Sequence, residues 1–275
     1  MGFSIIRSRG WGPAIAVAAG MLSSLPVWAQ PGAPPAQTGS STVQETAASA
    51  KAMTDRAVEA YEAGNNSEAL TIFQRAAAIG DVDAMLYLGV MYGTGRGTTA
   101  DYTAAMGWFN KAADAGNSQA MCNIGLLYFQ GQGTPKNYVE ALRWFSRASS
   151  SGNTEAMFNA GVIYRDGLGV HTNYTEAMRW FRRASGEGNI IATNAIGVMY
   201  QQGQGVPVDY AEAMKWYLKA ADAGNDTAMY NAGVLWEGGL GITQNREQAI
   251  TWYRKAAALG NELARSALTS LGLKN

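Results

Sequence analysis

Apolar positions follow a helical period in two short segments that are separated by a glycine-rich turn. After Asn117, the residues Met121, Ile124 and Tyr128 lie three or four positions apart, so they share one face of a helix. The loop at 131–136 reverses the chain, and a second helical stripe follows it, formed by Ala141, Trp144, Phe145 and Ala148. The pattern predicts a unit of two antiparallel helices.

The same unit recurs along the chain at a fixed interval of 36 residues. A tryptophan, a glycine and an alanine keep this interval, at Trp108, Trp144, Trp180, Trp216 and Trp252, at Gly80, Gly116, Gly152, Gly188, Gly224 and Gly260, and at Ala84, Ala120, Ala156, Ala192, Ala228 and Ala264. A period of about 20 to 50 residues is typical of stacked arrays, in which each unit buries its apolar face only against its neighbours. The sequence therefore predicts an all-α solenoid of antiparallel helix pairs.

Polar residues and glycines mark the ends and the contacts of the predicted helices. Asn117 precedes a first helix, where its side chain can accept hydrogen bonds from free amide groups. Asn137 precedes a second helix and is followed by Glu140, which is the spacing of a capping box. Gly125 stands in the middle of a first helix and recurs in five units, although glycine costs ~1 kcal/mol there relative to alanine. That cost indicates that a neighbouring helix approaches too closely for a side chain.

The N-terminus has the layout of a secretory signal peptide. Arg7 and Arg9 precede an apolar stretch, and Val27 and Ala29 supply the small residues of a cleavage site before Gln30. The apolar stretch is shorter than the ~20 residues that span a bilayer, so we expect no stable membrane anchor after cleavage. The predicted regions are a signal peptide at 1–29, a flexible linker at 30–50, a degenerate tetratricopeptide-like hairpin at 51–80, five units at 81–116, 117–152, 153–188, 189–224 and 225–260, and a capping helix at 261–275.

The residues of the unit resemble a known repeat family. The motif Ala120-Met121-x-Asn123-x-Gly125-x-x-Tyr128-x-x-Gly131-x-Gly133, followed by Asn137-Tyr138-x-Glu140-Ala141-x-x-Trp144-Phe145-x-Arg147-Ala148, is similar to the Sel-one-like repeat (SLR) family of the tetratricopeptide superfamily. The resemblance implies a right-handed solenoid whose concave face is lined by the first helices. It also implies an adaptor role, which in exported members often concerns envelope signalling or host contact. One cysteine-rich subgroup binds or hydrolyses β-lactams and pairs its cysteines within each repeat, whereas this chain has only Cys122.

Composition and motifs argue against several other classes of protein. Lys+Arg and Asp+Glu both number 21, so no basic field favours nucleic acid. A single cysteine excludes an internal disulfide and a cysteine-based zinc site made by one chain. The Gly-x-Gly pairs follow predicted helices rather than strands and lack a third glycine, so we interpret them as turns. His171 is interpreted as a turn residue, and no catalytic residue, metal ligand or cofactor site is predicted.

Positions that vary between units while remaining on one face of the first helices are free to contact a partner. Three such columns lie three and seven residues apart, on a single stripe. They predict a groove for an extended peptide or a partner helix, lined by Gln119, Cys122, Phe129, Glu155, Phe158, Arg165, Asn194, Gln201, Tyr230 and Glu237. The alternative is that these are ordinary solvated positions. If the groove exists, replacing Phe158 and Arg165 together is expected to abolish partner binding with little effect on the melting temperature.

The leading hypothesis is a non-enzymatic adaptor that is exported to the bacterial envelope and binds a protein or peptide. The predicted location is the periplasm or the medium, after cleavage behind Ala29. Two alternatives stay open. One is an enzyme or binder that acts on the cell wall or on β-lactams, which would need a nucleophile and a base that the sequence does not show. The other is a secreted effector that contacts a host cell.

Overall fold

The structure, a computed structural model, describes residues 40–273, with side chains from residue 48 onward. All regular secondary structure in this range is helical, which confirms the prediction of an all-α protein. The helices are α1 Ser40–Glu62, α2 Asn66–Ala78, α3 Val82–Thr94, α4 Tyr102–Asp114, α5 Ser118–Gln130, α6 Tyr138–Ser150, α7 Thr154–Asp166, α8 Tyr174–Gly186, α9 Ile190–Gln202, α10 Tyr210–Asp222, α11 Asp226–Gly238, α12 Arg246–Ala258 and α13 Glu262–Ser270.

The described helices form two compact units that divide between Asn137 and Tyr138. The first unit contains α1 to α5, and the second contains α6 to α13. Within each unit, every helix packs against the next helix along the chain. The odd-numbered helices are the predicted first helices of the repeat, and the even-numbered helices are the second helices.

Asparagine and aspartate side chains cap the helices as the sequence predicts. Asn153 Oδ1 accepts a hydrogen bond from the Ala156 amide at 2.8 Å, and Asn173 Oδ1 accepts one from the Glu176 amide at 3.0 Å. Asn173 and Glu176 have the spacing of the capping box predicted at Asn137 and Glu140, but its reciprocal half is not formed there. The Glu176 carboxylate instead accepts from Arg179 Nη2 at 2.7 Å, while the Asn173 amide donates to the Tyr164 carbonyl at 2.8 Å. The second helix is therefore tied to the end of the first helix by its backbone.

The mid-helix glycines lie against the aromatic ring that follows each tryptophan. A Cβ atom on Gly161 would lie 2.5 Å from Phe181 Cε1, and one on Gly197 would lie 2.6 Å from Tyr217 Cδ1. The close approach predicted from these glycines is thus confirmed, and the approaching group is a ring of the paired second helix. These rings are buried almost completely, as Phe109, Phe145, Phe181, Tyr217 and Tyr253.

The tryptophans lie less deeply than the sequence pattern predicts. Trp144 and Phe145 are both expected in the buried stripe, but Trp144 is only half-buried. The basic residue three positions after each tryptophan covers the exposed part of the indole. Lys111 Nζ, for example, lies 3.9 Å from the centre of the Trp108 ring. Each indole therefore lies at the helix surface under a basic side chain, while the phenylalanine or tyrosine that directly follows it fills the core.

Successive repeats within a unit are joined through their loops and caps. In the first unit, a Cβ on Gly133 would lie 2.7 Å from the backbone carbon of Tyr102, so this loop rests directly on the preceding second helix. In the second unit, Asn189 Nδ2 donates to the Thr154 carbonyl at 3.2 Å. The Gly-x-Gly pairs are thus turns, as predicted, and they also serve as contact points between repeats.

The two ends of the array differ in how well they match the sequence-based prediction. Helix α1 begins at Ser40, inside the stretch 30–50 that is predicted to be a linker, because alanine-rich sequence with glutamate and glutamine favours a helix. The predicted signal peptide and residues 30–39 lie outside the described residues. At the other end, α13 carries Arg265 and Thr269 where α3, α5, α7 and α11 carry methionine and glycine, so its outer side is polar. None of the described helices combines the length and the hydropathy needed to cross a membrane.

Candidate partner-binding face

The ten candidate residues all lie on first helices of the repeat. Three of them, Gln119, Cys122 and Phe129, lie on α5 in the first unit. The other seven lie on α7, α9 and α11 in the second unit, and we call this set the first-helix face: Glu155, Phe158, Arg165, Asn194, Gln201, Tyr230 and Glu237.

Burial separates these residues into two groups. Cys122 is fully buried, so it belongs to the core and does not line an open surface. Phe158 and Arg165 are only 9% and 8% exposed. The expectation that both can be replaced with little effect on the melting temperature is therefore not supported, because both contribute to packing. The remaining candidates are half-buried, which leaves part of each side chain available to a partner.

Hydrogen bonds join the neighbouring first helices of the second unit. Asn231 Nδ2 on α11 donates to Asn194 Oδ1 on α9 at 3.0 Å. The contact of Asn189 with the Thr154 carbonyl links the start of α9 to the start of α7. Because α7, α9 and α11 are direct neighbours, the first-helix face is continuous across them.

Each of these three helices contributes to a group of three side chains that recurs with the repeat. A group consists of two residues on the first helix, seven positions apart, and the buried ring on the paired second helix. We call them the α7, α9 and α11 triads, which are Phe158–Arg165–Phe181, Asn194–Gln201–Tyr217 and Tyr230–Glu237–Tyr253.

The α7 triad contains a basic side chain beside a pair of packed phenylalanine rings. The ring centres of Phe158 and Phe181 lie 5.6 Å apart, and the Arg165 guanidinium carbon lies 6.0 Å from the centre of the Phe181 ring. Arg165 Nε and Nη2 also donate to the two carboxylate oxygens of Asp166, at 2.7 and 2.9 Å. A buried guanidinium requires such a partner, and the bidentate geometry holds it in one orientation.

The α9 triad replaces the phenylalanine of the second helix with a tyrosine. The Tyr217 hydroxyl donates to Gln201 Oε1. Burial raises the pKa of Tyr217, so the hydroxyl stays protonated and remains a donor at neutral pH. Because its oxygen is occupied, Gln201 has its Nε2 donors left for other contacts.

The α11 triad has the same form with a carboxylate in place of the amide. The Tyr253 hydroxyl donates to Glu237 Oε2 at 2.6 Å, and the ring centres of Tyr230 and Tyr253 lie 5.7 Å apart. Burial raises the pKa of Tyr253, and the hydrogen bond to Glu237 raises it further. The carboxylate is therefore held in place by a neutral donor.

The repeats match one sequence profile along the described part of the chain. The profile is that of the Sel1 repeat, and it matches six segments, at 50–81, 82–117, 118–153, 154–189, 190–225 and 226–261. The chain belongs to the Sel1 repeat family. The first match covers the hairpin that the sequence pattern sets apart as a degenerate tetratricopeptide-like unit.

Solved structures of Sel1 repeat proteins share this fold. A Sel1 repeat protein from Oxalobacter formigenes is 34% identical, with a TM-score of 0.74 over 79% of this chain and 89% of that chain. A protective antigen present in uropathogenic Escherichia coli strains, which displays an SLR fold, is 30% identical, with a TM-score of 0.69 over 81% of this chain and 48% of that chain. No match is found among proteins with curated descriptions. These similarities confirm the predicted solenoid of helix pairs.

Sel1 repeats generally serve as scaffolds for protein interactions. Extended faces built from equivalent positions of successive repeats suit that use, because each repeat can carry a different side chain on the same backbone. Among the described residues, no group of three or more His, Cys, Asp or Glu side chains could hold a metal ion.

The pairing of the triad residues is a feature of these Sel1 repeats that sequence reasoning missed. Gln201 and Glu237 are predicted to be free to contact a partner, whereas each accepts a hydrogen bond from a tyrosine. A signal for this pairing is present in the sequence. The ring column changes from phenylalanine to tyrosine at Tyr217 and Tyr253, in the same two repeats whose variable position carries an acceptor. Comparing the two columns would have found it.

Two further features of the face were not among the candidates. Ile191 is 52% exposed at a position where the other repeats carry Asp83, Gln119, Glu155 and Thr227. Asn159, which belongs to the asparagine column of the motif, is buried, and its amide nitrogen has no hydrogen-bond partner within the described residues. A buried donor without a partner costs about 1–3 kcal/mol, so this amide lowers the stability of the repeat and is not open to a partner.

Proposed function

We propose that this Sel1 repeat protein is an exported, non-enzymatic scaffold that binds a segment of another protein on the first-helix face. The observation that carries the proposal is the set of triads. Arg165, Gln201 and Glu237 occupy equivalent positions, yet they differ in charge and hydrogen-bonding character. Each is held by its own neighbour, so the chemistry of the face is fixed before a partner arrives. Such preorganisation reduces the entropy that binding costs.

The shape and chemistry of the face favour an extended segment or a helix of the partner. Three parallel first helices present their side chains in rows, and a bound segment could contact one row after another. Ile191 offers an apolar contact in the middle of the face, with Asn194 one helical turn further along the same helix. The half-buried triad residues Gln201 and Glu237 would then set which partner is accepted.

Export is the part of the proposal that rests on residues 1–29. If this segment is a signal peptide, the mature protein begins at Gln30, and it carries no membrane anchor from this segment. Mass spectrometry of the intact protein isolated from its native cells would give the mass of the mature chain, and N-terminal sequencing would identify its first residue. An N-terminus at Met1 in exported or cell-associated protein would contradict the proposed cleavage.

Cross-linking tests whether the first-helix face is where a partner binds. A photoreactive p-benzoylphenylalanine is introduced at Ile191, and in a separate variant at Leu259, which is similarly exposed at the end of α12, outside the face. We expect irradiation of the native cell envelope to produce a defined protein adduct from position 191 and not from position 259. The side chains are exposed at 52% and 53%, so solvent access does not favour either position.

A substitution then measures the contribution of the face to affinity. We expect Ile191→Glu to weaken binding of the cross-linked partner about tenfold, because a charge replaces an apolar contact, while the thermal midpoint is unchanged. Leu259→Glu is the matched control and should bind as the wild type does. The proposal fails if both positions give the same adducts, or if Ile191→Glu binds within twofold of the wild type.

A further inference from the structure

The α7 triad shows where a cation can lie beside the aromatic pair of a repeat. There, the chain supplies the cation itself, because the Arg165 guanidinium lies 6.0 Å from the centre of the Phe181 ring, which in turn packs against Phe158. That distance is at the outer limit of a cation–π contact. The arrangement establishes that the backbone of this repeat leaves room for a positive group at this point.

The α11 triad has the same aromatic pair and no cation of its own. Tyr230 and Tyr253 pack with a similar ring separation, 5.7 Å compared with 5.6 Å at α7. The position of Arg165 is taken by Glu237, and none of the described basic residues forms an ion pair with that carboxylate. A negative charge and two aromatic rings therefore converge where the equivalent repeat holds a positive charge.

The hydrogen bond from Tyr253 does not by itself explain why this residue is a glutamate. At α9, Gln201 accepts the equivalent bond from Tyr217, so an uncharged amide satisfies a tyrosine hydroxyl in the same geometry. Glu237 uses Oε2 for this purpose and retains a second carboxylate oxygen. The charge is thus additional to what packing and hydrogen bonding require.

We propose that Tyr230, Glu237 and Tyr253 form a subsite for a lysine or arginine side chain of the partner. This inference rests on the proposed function and adds the chemistry of one contact to it. The cationic head pairs with the free oxygen of Glu237, and the apolar stem lies along the half-buried Tyr230 ring. Tyr253 is a positioning residue, because its hydroxyl holds the carboxylate in place.

The subsite is tested with a small cation, independently of any protein partner. Nα-acetyl-arginine amide is titrated into the ¹⁵N-labelled full chain, and Nα-acetyl-citrulline amide serves as the uncharged isostere. We expect the arginine probe to shift backbone amide signals around Tyr230 and Glu237 in a saturable manner. The equivalent amides around Asn194 and Gln201 should not shift, which provides a control within the same molecule.

Two substitutions separate the charge from its positioning. Glu237→Gln keeps an acceptor for Tyr253, as Gln201 does for Tyr217, and should weaken the arginine probe at least about fivefold. Tyr253→Phe restores a ring found in other repeats and should reduce the preference for arginine over citrulline about threefold. Glu187→Gln, at an exposed acid that ends α8, is the control and should change nothing.

The proposal is overturned if citrulline shifts the same amides to the same extent, or if Glu237→Gln binds the arginine probe within twofold of the wild type. Absence of any saturable shift also overturns it. None of these results bears on the cross-linking at Ile191, so the scaffold function can stand when the cation subsite fails. An arginine-specific shift that Glu237→Gln abolishes supports the subsite.

Discussion

Replacing Gly89 with alanine is expected to destabilise the protein by about 2 kcal/mol, although alanine is the better helix former. The added Cβ would overlap the Phe109 ring and would lie 2.9 Å from its Cζ atom. Phe109 is fully buried and cannot move without opening the core between α3 and α4. Because the Cβ overlaps several ring atoms, the overpacking cost is expected at the upper end of the usual range, about 3 kcal/mol, and the ~1 kcal/mol that alanine gains in a helix leaves a net loss of about 2 kcal/mol. Denaturant midpoints, followed by circular dichroism, would measure the loss.

Gly107 provides the matched control in the same helix pair. It lies within α4 and is exposed, and a Cβ atom added there would have no neighbouring atom within 4 Å. We expect Gly107→Ala to stabilise the protein by about 0.5–1 kcal/mol, because only the helix propensity changes. Midpoint shifts of the same sign in the two variants would contradict the close approach of Phe109 to α3.

Truncating Phe181 to alanine is expected to cost about 3–5 kcal/mol, the largest effect among these substitutions. The ring is fully buried, fills the space above Gly161, and contacts Phe158 in the α7 triad. Its removal leaves a cavity that the backbone of two packed helices cannot close. Calorimetry and denaturant unfolding would show the lowered midpoint, and Phe181→Leu should lose less than about 1.5 kcal/mol.

The preceding residue supplies the comparison for this prediction. Trp180 is larger than Phe181 but only half-buried, and Arg179 and Arg183 cover part of its indole. We expect Trp180→Ala to cost about 2 kcal/mol, less than Phe181→Ala, because less apolar area leaves water on folding. A larger loss for Trp180→Ala would show that the indole, and not the following ring, is the main support of the repeat.

Much of the local structure could be predicted from the spacing of residues in the chain. Asn153 and Asn173 cap their helices as expected, and Gly161 and Gly197 indeed face a closely packed ring. These predictions succeeded because capping and helix periodicity depend on residues that are near one another in sequence. The candidate face was less predictable. The stripe shows which face of the first helices the variable residues share, but it does not show how much of that face a neighbouring helix covers.

A period of 36 residues, with recurring caps and mid-helix glycines, is sufficient to predict that this protein is an array of helix pairs. Which side chains of that array are available to a partner depends on how the helices pack in three dimensions. This packing buries Cys122, Phe158 and Arg165, and it joins Gln201 and Glu237 to tyrosines of the paired helices. Burial and pairing depend on side chains of a second helix. The periodicity of one helix does not specify how closely another helix packs against it.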